Sequence, residues 1–200
     1  MIRKANIDDL DNLVELHLNN FDEKELSVIL GKSFVRIFYE TILTNKFTNI
    51  NVVIIDNKIV AFSTIFFKYS LFEKIFKKKI IFIFLKFLFI NFYKIKKINL
   101  IYKTVTTKNF HKFIHQETYD YHVGTFLLDR TYSEIPIVAI EFIKAYSENI
   151  KLMNEHSSTY WASCRISNHK TLRLLKNKGM GVIMEMNSFP ENILITIKEG

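Results

Sequence analysis

His122 and Tyr121 are neighbouring side chains whose chemistry suits them to moving a proton. An imidazole titrates near neutral pH and can take a proton from an incoming amine, and a phenol can donate one. His122 begins an apolar run that ends six residues later at Leu128, so a strand would hold the two at a fixed separation. The alternative is a histidine that is only packed in a strand. Because the chain has nine tyrosines, Tyr121 is a weaker candidate than His122.

The other chemistry-bearing residues of the sequence form no recognisable centre. His111 and His115 are spaced i, i+4 without a suitable third ligand nearby, so no metal site is predicted. The single cysteine, Cys164, excludes a disulfide framework and alternates with apolar residues, which favours a core position over a nucleophile. The sequence has no glycine-rich phosphate loop after a strand and no nucleophile-elbow motif.

A mixed sheet must position these side chains, because apolar residues alternate in some segments and follow a helical period in others. The predicted order is β-α-α-β-β-insert-β-α-β-α-β-β, an α/β fold with a central sheet. The predicted strands are Ile2–Ala5, Val52–Ile55, Ile59–Phe67, Tyr121–Leu128, Thr159–Ile166, Gly181–Phe189 and Asn192–Lys198. The predicted helices are one capped by Asn6 or Asp8, and others over Glu25–Leu43, Pro136–Asn149 and Asn168–Lys178.

The length of 200 residues predicts one domain over 1–200, with an insertion at about 69–112. The chain is 48% hydrophobic and 24% charged, which excludes wholesale disorder and collagen-like architectures. Acidic residues near the N-terminus stand where a secretion signal needs an apolar segment. We therefore expect a cytoplasmic protein.

The positive charge is concentrated in one segment. Lys68–Lys103 contains ten lysines and one acid, Glu73, for a charge of +9, so the remaining residues carry −1 of the total of +8. The segment includes an apolar run too short to span a bilayer and of the right length to lie in its interface. We expect residues 69–103 to contact either the inner membrane surface, a second copy of the chain or this domain's own core. Nucleic acid is a weaker expectation because the segment has no arginine.

Four parts of the sequence carry a resemblance to a known family: Ile2–Ala5 with Asp8-Asp9, Leu30–Phe34 with Phe38-Tyr39, Asp56–Phe62 and Arg165–Met180. They resemble the GNAT N-acetyltransferase family, and the resemblance extends over nearly the whole chain outside residues 69–112. In the last of the four, Asn168, Thr171, Leu174 and Gly179 fall in register with the family, and Leu175 replaces its general-acid tyrosine.

The resemblance implies that acetyl-CoA binds at the fourth strand and the helix after it. Backbone N–H groups of Leu127 and Leu128 would hold the acyl carbonyl, and Asn168 would lie near the pantetheine arm. The implied phosphate-binding residues of the following loop are Ser133, Ile135, Ile137 and Val138. Here Glu134 and Pro136 replace glycines of the family motif, and they oppose phosphate binding because one adds negative charge and the other lacks an N–H.

What the resemblance implies for activity is an acyl-CoA-dependent N-acyltransferase, with acetyl as the expected group. The acceptor would be an amino group on a sugar or small metabolite, in a pathway such as surface-polysaccharide synthesis. His122 occupies the place of the family's general base, with Tyr121 beside it. The alternative is a degenerate GNAT-like domain that acts as a binding or membrane-surface-associated protein.

Overall fold

A sheet of seven strands, in the order β1-β2-β3-β4-β5-β7-β6, organises the chain. The structure is a computed structural model that describes residues 1–91, 119–186 and 192–199. The strands are β1 Ile2–Lys4, β2 Thr48–Ile55, β3 Lys58–Phe66, β4 His122–Leu128, β5 Tyr160–Arg165, β6 Gly181–Met186 and β7 Ile193–Lys198. The helices are α1 Leu10–Asn20, α2 Leu26–Leu30, α3 Lys32–Thr44, α4 Tyr69–Asn91, α5 Pro136–His156 and α6 His169–Asn177. This order confirms the mixed α/β prediction.

Both faces of the sheet are covered by helices. The paired residues Phe62 and Leu127 pack with α1 and α3 on one face. The adjacent pair, Ala61 and Leu128, packs with α5 on the other face. Strand alternation produces this division, because successive side chains point to opposite faces. The helix α4 joins the α1–α3 side through the buried Phe72.

A buried amide network fixes α5 against the sheet. Asn149 is fully buried, and its side-chain N–H donates to the carbonyl oxygen of Ser63 on β3 at 2.7 Å. Its side-chain oxygen accepts from Asn49 of β2 at 2.8 Å. Because unpaired amides are costly in an interior, these bonds set the position of α5 relative to β2 and β3.

The turns and helix caps agree with the predicted bounds of the neighbouring elements. Asp56 and Asn57 have φ values of 48° and 62°, as a tight hairpin turn between β2 and β3 requires. Asn6 is the cap of the first helical turn, where its side chain accepts from the N–H of Asp8. Asn168 caps α6 by accepting from the N–H of Thr171, and Gly179 follows that helix with φ of 81°.

One predicted helix is two. The prediction of a single helix over Glu25–Leu43 is wrong, because Gly31 interrupts it with φ of 85° and ψ of −175°. Such a backbone conformation is open to glycine and closed to most other residues.

The bounds of two other elements differ from the prediction. The strand β2 begins four residues earlier than expected, at Thr48, and α5 continues to His156. The predicted end of β6 at Phe189, the part of the basic segment after residue 91, and both His111 and His115 lie outside the described residues.

Candidate functional site

The strands β4 and β5 separate after a short contact. They are the one parallel pair in the described sheet, and only His122–Trp161 and Val123–Ala162 are paired. Beyond these pairs β4 stays with β3 to Leu128, and β5 stays with β7 to Arg165. The carboxyl halves of β4 and β5 therefore present unpaired backbone edges to each other across an opening.

The N–H of Leu128 points into this opening. The next residue, Asp129, donates its N–H to the carbonyl oxygen of Val60 on β3 at 2.8 Å. Because N–H groups alternate in direction along a strand, the N–H of Leu128 faces away from β3, and that of Leu127 faces toward it. Of the two donors predicted for the acyl carbonyl, Leu128 is the one directed at the gap.

A bulge in β4 lies just before this donor. The register with β3 passes from Ile65–Val123 to Ser63–Phe126, so Gly124 and Thr125 together oppose one residue, Thr64. The hydroxyl of Thr64 donates to the carbonyl oxygen of Thr125 and fills the interrupted ladder. A bulge bends a strand and increases its local twist, and β4 stops pairing with β5 at this point.

His122 lies at the closed end of the opening, inside a group of aromatic rings. It is 9% exposed, and its ring stacks on Trp161 with centroids 3.8 Å apart. Tyr69 approaches the same imidazole edge-on at 4.6 Å, and Phe66 lies parallel to it at 5.5 Å. The six residues to Leu128 correspond to roughly 20 Å of strand. The role of His122 as a base stays a prediction.

Tyr121 stands immediately before β4 and is half-buried. Its carbonyl oxygen accepts from the N–H of Trp161 at 3.0 Å, and its ring packs in the cluster that contains Val123 and Tyr160. The structure thus places Tyr121 beside His122 and away from Leu128. Its predicted catalytic role also stays a prediction.

The loop from β4 to α5 already uses several of its own amides. The N–H of Ser133 donates to Arg130 at 3.3 Å, that of Ile135 to Tyr132 at 3.1 Å, and that of Val138 to Ile135 at 3.0 Å. The side chain of Val138 is buried against β2 and β3. Of the residues predicted to hold phosphate, these three therefore have their backbone donors occupied within the chain.

Two backbone donors remain at the start of α5. In the part of the chain that the structure describes, no group accepts from the N–H of Glu134 or of Ile137. Between them Pro136 occupies the first helical position and has no N–H. The exposed carboxylate of Glu134 adds a negative charge at this helix end, where an anion would otherwise be favoured.

A second anion-attracting surface lies at the carboxyl end of β5. A cavity of about 580 Å³ is lined by Arg165, Ser167, Asn168, His169 and Lys170. The lining combines the ammonium of Lys170 and the first turn of α6 with the guanidinium of Arg165, whose charge is paired with Glu25. Of these lining residues, the sequence analysis singled out Asn168 as a binding residue.

The α1–α2 connection spans the opening from one strand to the other. Asn20 accepts from the backbone N–H of Arg130 at 2.8 Å and from its guanidinium at 2.9 Å. Glu25 accepts from the Nε of Arg165 at 2.7 Å. Because Arg130 follows β4 and Arg165 ends β5, the residues from Asn20 to Glu25 lie at the mouth of the gap.

A buried histidine beside this connection was missed by the sequence analysis. Nδ1 of His17 lies 2.9 Å from the hydroxyl of Tyr39, and Nε2 lies 2.8 Å from that of Ser27. Burial lowers the pKa of His17 to about 4, so the ring is neutral near pH 7. Tyr39 packs edge-on against Phe62, which pairs with Leu127, so this polar group lies over the carboxyl half of β4.

His17, Ser27 and Tyr39 are close in space but distant in sequence, since Tyr39 is 22 positions from His17. No local sequence pattern therefore links them. A polar His17 at an apolar position of the α1 period was the one available signal. The residue at the place of the family's general acid, Leu175, is fully buried in the core with Met153 and Cys164. It supplies no proton donor to the gap.

No protein-family model and no curated protein matches this sequence. Solved structures do match its fold. A GNAT-family acetyltransferase from Streptococcus pneumoniae matches with a TM-score of 0.58 and 11% identity, over 99% of this chain and 98% of that one. The ribosomal-protein-S18-alanine N-acetyltransferase from Escherichia coli matches with a TM-score of 0.55 and 10% identity, over 99% and 92%.

An aminoglycoside acetyltransferase solved in complex with coenzyme A also matches, with a TM-score of 0.55 and 9% identity over 99% of this chain and 93% of that one. At these low identities the matches establish a shared fold, and the chemistry has to be argued from the residues of this chain. The matches to solved structures agree with the observed strand order and with the separation of β4 from β5. The chain has the fold of the GNAT N-acetyltransferases.

Proposed function

We propose that this protein is an acyl-CoA-dependent N-acyltransferase that transfers an acetyl group to an amine of a sugar or small metabolite. The observation that carries the proposal is the gap between β4 and β5, with the N–H of Leu128 directed into it. An extended thioester fits such a gap because the free backbone edges of both strands can bond to the amides of its pantetheine arm. Coenzyme A binding by a neighbour of the same fold supports this assignment.

In the proposed reaction, the nitrogen of a neutral amine attacks the thioester carbonyl carbon. The C–N bond forms, and the carbonyl oxygen becomes an oxyanion that accepts from the N–H of Leu128. When the carbonyl reforms, the C–S bond breaks and coenzyme A leaves as its thiolate. The proton lost by the amine passes to a base and from there to solvent or to the sulfur. A preorganised backbone donor of this kind contributes roughly 10²–10³-fold in kcat.

Two sites are candidates for handling the amine proton. His122, with Tyr121 beside it, would act on an acceptor that reaches the closed end of the gap. His17 with Ser27 lies on the open side, nearer the carboxyl half of β4. Replacement of each histidine by alanine, with kcat followed against pH, assigns the base: its loss removes the ascending limb of the profile.

The phosphates of the substrate would be held at two places. The first place is the start of α5, where the N–H groups of Glu134 and Ile137 are free. The second place is the cavity at the start of α6, which Arg165 and Lys170 line. At the second place Lys170 supplies positive charge that the first place lacks, while the charge of Arg165 is already balanced by Glu25. Ser133, Ile135 and Asn168 would contribute shape around the substrate, whereas Val138, buried against β2 and β3, would act only by fixing the start of α5. The negative charge of Glu134 would weaken binding.

The second candidate function is a GNAT-like domain that binds partners without catalysis. Glu134 and Pro136 at the phosphate end and the buried Leu175 at the general-acid position favour it. Under this proposal the gap is retained as part of the fold and carries no acyl transfer. Turnover separates the two candidates.

The test measures thiol release from acetyl-CoA against a panel of amino sugars and small amines. Leu128→Pro removes the N–H in the gap without removing a bond to β3, and Leu128→Val keeps the N–H as the matched control. We expect Leu128→Val to retain activity and Leu128→Pro to lose about 10²-fold or more in kcat, with circular dichroism confirming that both fold. Equal activity of the two variants, or no turnover of any amine by the native protein, contradicts the proposal.

A further inference from the structure

The outward face of α4 combines apolar and basic side chains. Phe82 is 78% exposed and Phe89 is 87% exposed, the two highest values among large apolar side chains of the described residues. Ile81 and Leu85 lie beside them and are 52% and 55% exposed. The spacing of Phe82, Leu85 and Phe89, i, i+3 and i+7, places these three on one line of the helix.

The opposite face of α4 shows which part of the helix belongs to the domain's own core. Phe72 is 2% exposed, and Phe76 packs edge-on against Phe34 and Phe38 with centroids 5.4 Å apart. The first half of the helix is therefore anchored to α3. The second half carries the exposed apolar line beyond that anchor.

Lysines surround this apolar line. The helix has five lysines and one glutamate, a net charge of +4, and Lys78, Lys79 and Lys86 are exposed. Glu73 is already paired with Lys77 at 2.9 Å. Long side chains of this kind can place their ammonium groups at a headgroup layer while apolar neighbours enter the acyl region.

We propose that this face of α4 docks on an anionic membrane surface. Charge selects this occupant over a second copy of the chain, because two such faces would bring +4 against +4. Among the described residues no helix is long and apolar enough to cross a membrane. The helix would lie in the interface, with Phe82, Leu85 and Phe89 inserted and the lysines at the phosphate level.

The test uses sedimentation of the full chain with vesicles of phosphatidylcholine alone and of phosphatidylcholine with phosphatidylserine. We expect binding to the anionic vesicles only, and weaker binding as sodium chloride is raised. The double variant Phe82→Ser/Phe89→Ser should lower the partition coefficient at least about tenfold, because burying one phenylalanine ring in the membrane raises this coefficient by about that factor or more. Lys78→Gln/Lys86→Gln should remove most of the salt dependence.

The matched control is Ile140→Ser, which removes an apolar side chain 49% exposed on α5 and should leave vesicle binding unchanged. Three results overturn the proposal: no binding to anionic vesicles, equal binding to both vesicle types, or no loss in the double phenylalanine variant. The proposal is also overturned if the protein forms a dimer without lipid and the double phenylalanine variant dissociates that dimer, because the face would then serve self-association. Binding to RNA without binding to vesicles likewise overturns the proposal. None of these readouts depends on acyl transfer.

Discussion

The hydroxyl of Tyr39 lies 2.9 Å from Nδ1 of His17, and both side chains are buried. Burial raises the pKa of Tyr39 well above its ordinary value, so the phenol keeps its proton. The neutral ring of His17 has one donor and one acceptor nitrogen, so its two hydrogen bonds are coupled. When Tyr39 donates to Nδ1, Nε2 donates to Ser27; when Nδ1 donates to Tyr39, Nε2 accepts from Ser27, and only this second arrangement lets a proton from an amine reach the ring through the serine hydroxyl.

The depressed pKa of His17 makes the stability of the protein depend on pH. The pKa is about 4 in the folded protein against an ordinary value of 6.5, so the unfolded chain takes up the proton first as pH falls. Stability is therefore full above pH 6.5, declines between 6.5 and 4, and loses nothing further from this group below 4. The decline should amount to about 3 kcal/mol, measured by urea unfolding across this range.

His17→Gln isolates this contribution because glutamine does not titrate. We expect the difference in unfolding free energy between the native protein and this variant to shrink as pH falls from 6.5 to 4. A difference that is constant over that range would show that His17 is not neutral and buried in the folded state.

Gly124 at the bulge of β4 should tolerate no side chain. A Cβ there would lie 2.4 Å from Cε2 of Phe66, whose ring is held by Phe72 and His122. We expect Gly124→Ala to lower the free energy of unfolding by about 1–3 kcal/mol. At Gly181 the nearest atom to an added Cβ is 4.0 Å away, so Gly181→Ala is the matched control. Similar unfolding curves for the two variants would contradict the packing described around Phe66.

The N-terminal strand is joined to the first helical turn by a two-pronged ion pair. Arg3 donates to the two carboxylate oxygens of Asp9 at 2.6 Å and 2.7 Å, and Asp9 also accepts from the N–H of Asn6. The guanidinium of Arg3 lowers the pKa of Asp9, so this stabilisation is present above the ordinary value of 3.8 and is lost as pH falls through the folded pKa. Asp9→Asn should cost about 1–2 kcal/mol at neutral pH and almost nothing in strong acid.

Asp11→Asn is the control for this prediction. Asp11 pairs with Arg36, but its side chain is 67% exposed, and exposed pairs contribute little. We expect no measurable change in thermal unfolding for Asp11→Asn. If Asp9→Asn were equally neutral, the two-pronged geometry would have no role in holding β1 to the helical layer.

Local signals in the sequence predicted most of the fold. The hairpin around Asp56-Asn57 and the helix end before Gly179 each depend on a few adjacent residues, and the predicted bounds of the neighbouring elements place both correctly. Gly31 was missed because the apolar residues on either side continue one helical period. Only its backbone conformation, with φ of 85°, shows the interruption.

The candidate site was less predictable because it depends on distant contacts. The direction of the Leu128 N–H follows from the Asp129–Val60 hydrogen bond, which no local pattern encodes. The group of His17, Ser27 and Tyr39 comes from three helices. The aromatic rings around His122 likewise come from β3, α4 and β5, so the sequence could not show how closely that imidazole is enclosed.

The central claim is that acyl-CoA binds between β4 and β5 despite the carboxylate of Glu134. Titration of the protein with acetyl-CoA by calorimetry tests it most directly, with Glu134→Gly as the variant and Glu155→Gln, an exposed glutamate at the other end of α5, as the control. We predict binding of micromolar order, about fivefold tighter in Glu134→Gly because a like charge near the phosphates is removed, and unchanged in Glu155→Gln. The absence of binding by the native protein would contradict the account, whether or not Glu134→Gly binds.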